Sequence, residues 1–448
     1  MTRREMNYPK NYFHKPLRNL ALCGLWLYEP KKMNYKILHY LWFIILATCA
    51  CFYLLTEYTH IIKHLHEMQE VTLALCYIFC HSMIFGKIVI FIIKKGKISK
   101  MVKLLESGPF LPNVARGGPE EIDIIRRTIH LTNVQLKIFG AVIVVMMTTG
   151  VLPYLKNGRT FNEISPNITQ VIVKFPYPST LPFEVDYTAS PCYELMFTFQ
   201  VFSMNLYGWY FSNIDALIIG LMMHIIAQFK ILVSAIENVT KRAENMAAHD
   251  KSSALSQVIK KITFIKYNID CDNFIIIERV ETYSETIMAN LKKCINEYAY
   301  YHQEVINLVD DMEKSLNFLF LIQFIGCLLT IVVGLYQISL VPFGSSSFTN
   351  MASFSFAITF EVFMHCIYGD EISFYSAEVG KAAYNCEWIK ADDRIRKNLL
   401  LMTLRCQRKC FLTFGKFSKI NLVLFLSIMR GAFSYFTFLQ KMNEELNM

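Results

Sequence analysis

The stretch Leu422–Met442, LVLFLSIMRGAFSYFTFLQKM, is apolar and long enough to cross a bilayer, yet it carries an arginine at its middle and a lysine near its end. A helix needs about 20 apolar residues to span the hydrocarbon. Runs of that kind recur near 37–57, 72–93, 134–154, 195–222, 317–340, 351–375 and 419–440. One or two such runs would fit the buried core of a soluble enzyme. Seven, separated by charged stretches, specify an all-α polytopic membrane protein with seven transmembrane helices. The composition agrees: the 448 residues are 54% hydrophobic and only 18% charged, against roughly a quarter charged in soluble domains.

The net charge of +9 is distributed in a way that points to membrane topology and not to nucleic acid. Lysine and arginine crowd the N-terminal tail (Arg3, Arg4, Lys10, Lys15, Arg18, Lys31, Lys32, Lys36) and nearly vanish from the first loop. They return in the second (Lys94, Lys95, Lys97, Lys100, Lys103, Arg116, Arg126, Arg127), thin in the third, fill the fourth, vanish from 342–350 and return from Lys381 through Lys409. This alternation predicts a cytosolic N-terminus and an extracellular C-terminus. The segments read as follows: 1–36, a cytosolic N-terminal segment; 37–222, helices one to four, with an extracellular loop at 155–194; 223–316, cytosolic helical extensions forming an anchor; 317–375, helices five and six; 376–418, a cytosolic loop with an anchor helix; 419–448, the seventh helix and an extracellular C-terminus.

Asn19–Leu27, NLALCGLWL, has too short an apolar core and no small-residue cleavage site for a signal peptide, so it reads as an interfacial segment. The third loop contains Asn167-Ile168-Thr169, a glycosylation acceptor placed outside by the charge rule; Asn238-Val239-Thr240 falls on the cytosolic side. In the fourth loop Leu291, Ile295, Tyr298, Val305, Leu308 and Met312 recur at helical spacing and run into the fifth span. Such a stripe needs a partner, either neighbouring helices and subunits or the membrane surface.

No nucleotide-binding, zinc-protease, hydrolase or potassium-filter signature occurs, so neither an enzyme nor a cofactor is expected. The thirteen cysteines form no zinc pattern. His60, His64 and His66 cluster at the outer end of the first hairpin and read as solvated histidines before metal ligands. Lys87, Asp215, Glu361, Asp370 and Glu371 are ionisable groups within the spans, read as structural salt bridges with pairing undetermined.

On a helix, Ser427, Arg430, Ser434, Thr437 and Lys441 form one polar stripe. Charge deep in lipid is costly, so the stripe should face water or protein. A water-filled conduit and a buried helix seam both satisfy that. The outer halves of other spans offer soft and aromatic side chains: Tyr77, Phe79 and Met83; Met147, Gly150 and Tyr154; Phe199, Phe202, Ser203 and Leu206; Phe354, Phe356 and Ile358. A lining of this kind suits a small apolar ligand.

Tyr368–Trp388, YGDEISFYSAEVGKAAYNCEW, and Leu399–Gln440, with its Arg-x-Gln, Gly-Lys-Phe and Ser-Tyr-Phe elements, resemble the C-terminal third of insect odorant receptors. Lys292–Glu313 and LRNLALCGLWLYEP are similar to other parts of that family, with the proline displaced to Pro30. The resemblance is to the ligand-tuning subunits, not the co-receptor. It implies a ligand-gated, non-selective cation channel of four subunits in the plasma membrane of olfactory neuron dendrites. The assembly would include the odorant receptor co-receptor, membrane lipid and permeant cations, and no nucleic acid. It implies that the last helix lines the pore through Ser434, Arg430 and Lys441, with a gate carried onto Phe438 and Met442, above Arg430. The ligand, a volatile odorant or pheromone, would bind among Tyr77, Met83, Met147, Gly150, Tyr154, Phe199, Phe202, Ser203, Leu206, Phe354 and Ile358. A gustatory receptor shares this architecture. A G-protein-coupled receptor would be inverted, and this chain lacks its Asp-Arg-Tyr and Asn-Pro-x-x-Tyr elements.

Overall fold

Most of the helices far outrun the bilayer they would cross. A computed structural model describes residues 11–26, 33–157, 159–165, 168–253, 265–269, 275–279 and 284–446. In chain order it contains α1 (His14–Leu22), α2 (Met33–Lys63), α3 (Met68–Leu105), the short α4 (Val114–Gly117) and α5 (Glu120–Asn157). An antiparallel hairpin of β1 (Arg159–Ser165) and β2 (Ile168–Val173) precedes α6 (Cys192–Glu237) and α7 (Val239–Ser253). A second hairpin, β3 (Ile265–Ile269) with β4 (Ile275–Arg279), leads to α8 (Glu285–Leu340), α9 (Ser346–Asn385) and α10 (Asp393–Cys406). A third, β5 (Thr413–Phe414) with β6 (Ser418–Lys419), turns the chain into α11 (Leu422–Leu446). Among the described residues, α2, α3, α5, α6, α8, α9 and α11 are long and apolar enough to cross a membrane. The seven-helix reading of the sequence therefore holds.

With 46 and 56 residues, α6 and α8 are about 70 and 84 Å long, against a hydrocarbon core of about 30 Å. The surplus packs as a base at the end opposite residues 174–191. There Leu291, Ile295, Tyr298, Val305, Leu308 and Met312 of α8 are all buried, and α8 packs on α3, α7 and α10. The stripe legible in the sequence thus finds its partners within its own chain. α10 meets the base through Ile395, Leu399, Met402 and Cys406. The N-terminal segment is also docked, correcting the interfacial reading of its described part: Leu17, Leu20, Leu25 and Trp26 are buried, and Asn19 Nδ2 donates to Asn213 Oδ1 of α6 at 2.9 Å.

α6 is the centre of the bundle. Every side chain from Tyr210 to Phe229 is buried, as expected of a helix that is apolar on all sides. Around it stand α1, α2, α3, α5, α8 and α9. α3 and α8 approach closely at Gly326, where an added Cβ would lie 2.7 Å from Met83 Cβ. Met83 is consequently a packing residue of this contact.

Ionic bonds lock the same helices together. Lys87 Nζ of α3 donates to Asp215 of α6 at 2.7 and 2.9 Å and to Glu361 of α9 at 2.5 Å. All three side chains are fully buried. Gln323 of α8 donates to the same Glu361 oxygen at 2.7 Å. The ammonium has three hydrogens and finds three acceptors. Asp370 and Glu371, considered with these groups from sequence, lie half-buried further along α9 and outside the cluster.

The start of α11 is fixed to α8. Gly415 and Lys416 both take positive φ, and Phe417 N closes the turn on Phe414 O at 3.0 Å. Gly415 N donates to Asn317 O at 2.9 Å, and Thr413 N to Glu313 Oε2 at 2.7 Å.

Removing one partner from a buried ionic cluster strands the others, at about 3–5 kcal/mol. Lys87→Met is therefore expected to lower the thermal midpoint of the solubilised protein and its surface density. The triple variant Lys87→Met, Asp215→Leu, Glu361→Gln should recover most of both.

Candidate ligand chambers and the polar helix face

Two cavities are stacked between α3, α5 and α9, the upper one walled also by α8 and the lower by α6. The upper, of about 170 Å³, is lined by Leu73 and Tyr77 of α3, Thr149, Gly150 and Tyr154 of α5, Gln337 of α8 and Asn350 and Met351 of α9. The lower, of about 20 Å³, is lined by His81, Ile143, Met147, Tyr207, Phe354 and Ile358, with Met204 and Gly208 of α6. Tyr77 and His81, and likewise Asn350 and Phe354, are four residues apart, so one helical turn separates the chambers. Tyr77 forms the partition, its ring 5.2 Å from Phe354 and 6.2 Å from His81.

Gly150 is where it must be for the upper chamber to close. An added Cβ would lie 2.9 Å from Tyr177 Oη and 3.0 Å from Asn350 Oδ1. Asn350 Nδ2 donates to Tyr77 Oη at 3.3 Å. The upper chamber is thus bordered by amide and hydroxyl groups as well as apolar ones, more polar than the sequence suggests.

A segment after the β1–β2 hairpin seals the top. Pro176 through Ser179 are buried. Tyr177 stands edge-on to Tyr77 with centroids 5.7 Å apart, and its hydroxyl reaches Met147 Sδ at 3.7 Å. Gln200 Nε2 of α6 donates to Tyr177 O at 3.1 Å and to Ser179 Oγ at 2.7 Å. Thr180 N donates to Thr56 O of α2 at 3.0 Å, and Lys63 Nζ to Leu181 O at 3.0 Å. Beside this seal a wider recess of about 590 Å³ shares Glu70, Leu73, Tyr154 and Pro176 with the upper chamber, forming its mouth. His60 and His64 stand at that mouth, rings stacked at 4.3 Å, with His60 Nδ1 2.8 Å from Thr180 Oγ1. No group of three metal-ligating side chains occurs among the described residues. A further cavity, about 730 Å³ near Tyr12, Glu106 and Tyr300, belongs to the base. Its Arg116 is already paired with Glu121 at 2.7 Å.

Of the ligand residues expected from sequence, Tyr77, Met147, Gly150, Tyr154, Phe354 and Ile358 line the chambers. Met83 does not, for the reason given above. Phe199 packs on Phe52 and Tyr53 of α2, Ser203 lies 3.6 Å from Cys49, Leu206 is buried outside both chambers, and Phe202 is 48% exposed on the outer surface. The cause is helical phase. α6 lines the lower chamber with Met204, Tyr207, Gly208 and Phe211, a stripe rotated by about 140° from that of 199, 202, 203 and 206. Tyr177 of the seal and the chamber residues His81, Tyr207 and Asn350 were missed by the sequence reading. The PYPS run at 176–179 was the available signal for the first.

α11 packs on α8 and α9 through Leu424, Ile428 and Ala432. Ser427, Arg430, Ser434, Thr437 and Lys441 are all exposed on this chain, as are Phe438 and Met442. Ser427 and Thr437 hydroxyls bond only within their own helix. The polar stripe is therefore no seam with another described helix of this chain. Asn167 lies outside the described residues.

Gln200 holds the seal by two bonds, so Gln200→Ala is expected to speed hydrogen–deuterium exchange over residues 176–181 by roughly tenfold. Exchange in the middle of α6 should not change.

The sequence model of the 7tm Odorant receptor family matches residues 67–433. Odorant receptor 10 of Aedes albopictus is 26% identical over 140 residues, covering 31% of this chain and 37% of that one. Odorant receptor Or2 of Anopheles gambiae is 28% identical over 159 residues, covering 35% and 40%. The odorant receptor coreceptor of Ooceraea biroi is 24% identical over 149 residues, covering 33% and 31%. These matches span two fifths or less of the relatives' own length. The fold is similar to that of the insect olfactory receptor OR5 from Machilis hrabei in complex with eugenol, with a TM-score of 0.73 and 14% identity over 96% of this chain and 99% of that one.

Proposed function

We propose that this chain, which belongs to the 7tm odorant receptor family, is the ligand-binding subunit of an odorant-gated cation channel. In this reading it assembles with co-receptor subunits in the plasma membrane of olfactory sensory neurons. The observation that carries the reading is the pairing of two features in one chain. A chamber of about 170 Å³, with a smaller one of about 20 Å³ stacked on it, lies within the bundle, and a helix that packs by one face only presents a charged and hydroxylated stripe on the other.

A polar stripe left on the surface of a spanning helix is costly against lipid. It is relieved when copies of α11 from several subunits enclose water between them. Phe438 and Met442 then form the apolar constriction, and Arg430 sets a positive charge below it. The base, where α8, α10 and α3 pack, is the cytosolic anchor of the assembly. A volatile enters by the recess at His60 and Glu70, buries its apolar surface at about 25 cal/mol per Å², and opens the pore only as far as it prefers the open state.

Whole-cell currents test this directly. Cells expressing the chain with an insect co-receptor should respond to a volatile panel within tens of milliseconds, with G-protein signalling blocked. In the same cells, a methanethiosulfonate reagent should suppress the current of Ser434→Cys and leave that of Ala432→Cys, whose position is buried, about unchanged. A current that needs G-proteins, or equal modification at both positions, would overturn the reading.

The orientation has its own test. With the loop end outside, a glycosidase should shift the gel mobility of the wild type, Asn167→Gln should abolish that shift, and Asn238→Gln should leave it intact.

A further inference from the structure

Resting on the reading of the stacked chambers as the ligand site, we propose that His81, held by Glu57, is the polar anchor of the bound molecule, and that this molecule is a compact volatile bearing a hydrogen-bond acceptor, of the ketone, aldehyde or ester class.

Glu57 Oε1 of α2 and His81 Nδ1 of α3 are 2.7 Å apart, with their side chains 0% and 3% exposed. A lone negative charge at such a site is costly, so the pair is most stable with a net charge of zero. Two arrangements give that: carboxylate with imidazolium, or carboxylic acid with neutral imidazole. In the first both ring nitrogens carry hydrogen; in the second, with the acid hydrogen of Glu57 donated to Nδ1, the ring hydrogen is on Nε2. His81 therefore presents a donor. No described residue is hydrogen-bonded to Nε2, and the ring lines the lower chamber. Three tyrosines fix its plane: Tyr207 at 4.4 Å, Tyr53 at 5.8 Å and Tyr77 at 6.2 Å between centroids.

Size completes the assignment. The lower chamber, about 20 Å³, takes one water-sized group. The upper chamber, about 170 Å³, takes the body of a small molecule. A molecule passing the Tyr77 partition would set one oxygen beside His81 Nε2 and leave its apolar frame among Leu73, Gly150, Tyr154 and Met351. A site with a buried donor discriminates against molecules that cannot pair it.

The test compares compounds matched but for one group: cyclohexanone, cyclohexanol and methylcyclohexane, and acetophenone with ethylbenzene. Half-maximal concentrations are read from currents of cells expressing the full chain with an insect co-receptor. In the wild type each ketone should act at a concentration roughly tenfold or more below its hydrocarbon, with the alcohol between. Glu57→Leu/His81→Phe removes both partners and so strands no charge. With surface expression verified, it should bring the gap to within about twofold while leaving the hydrocarbon response in place. His81→Gln, which keeps an N–H donor, should restore part of the ketone preference. A gap that persists in the double variant, or a wild type that answers the hydrocarbon as readily or the alcohol alone, would overturn the proposal. A surface-expressed wild type silent to every compound would count against the chamber reading itself, and the proposal would fall with it.

Discussion

The bundle depends on a lysine that has nowhere else to go. Lys87 sits fully buried on α3, and its three hydrogens are taken by Asp215 of α6 and Glu361 of α9. Gln323 of α8 completes the shell. Apolar packing between helices is permissive in lipid, because a leucine facing a tail is nearly as well placed as one facing a helix. An ammonium among carboxylates has only one satisfactory arrangement. It therefore sets the rotation and depth of four helices at once, and the apolar side chains pack around that choice.

α3 carries a second buried polar residue less than two turns from the first, and the contrast between them is instructive. Lys87 is saturated: every hydrogen has an acceptor inside the protein. His81 is tied by one nitrogen to Glu57 and lines a cavity. One helix thus holds a closed polar site that fixes structure and an open one beside the chambers. The seal formed by residues 176–181 belongs to the same economy of design. Its backbone bonds to α2 and α6 and the Tyr177 ring close the chambers from a loop, where small changes of sequence cost the bundle little.

Span count and helical character were legible because hydropathy and length suffice for them. The α8 stripe from Leu291 to Met312 was legible because its period is helical, and so was the polar face of α11 from Ser427 to Lys441. What period cannot give is phase. The α6 residues Phe199, Phe202, Ser203 and Leu206 have the right chemistry and spacing for a pocket, but α6 is rotated so that Met204, Tyr207 and Gly208 line it instead. Nor can pattern alone join partners 128 or 274 residues apart, as Lys87 is from Asp215 and Glu361. Tyr177 was missed for a related reason: it comes from a loop, and only the fold brings it over Gly150. The family likeness through Tyr368–Trp388 and the closing segment agrees with a match across residues 67–433, and neither identifies which side chains meet a ligand.

The continuous helix α8 has a mechanical consequence. Its Gln337 borders the upper chamber, its Gln323 sits in the ionic cluster, and its Leu291 lies deep in the base. By helical rise, the arm from Gln323 to Gln337 is about 21 Å and the arm to Leu291 about 48 Å. A rigid rod pivoting at the cluster magnifies displacement more than twofold toward the base. A chamber wall moved by 1 Å, roughly the slack a bound molecule would impose, corresponds to about 2 Å at the far end. Glu313 and Asn317, which grip the turn leading into α11, lie only about 15 and 9 Å from the cluster, so the last helix is mounted near the fulcrum, where the same tilt moves it by less than about 1 Å.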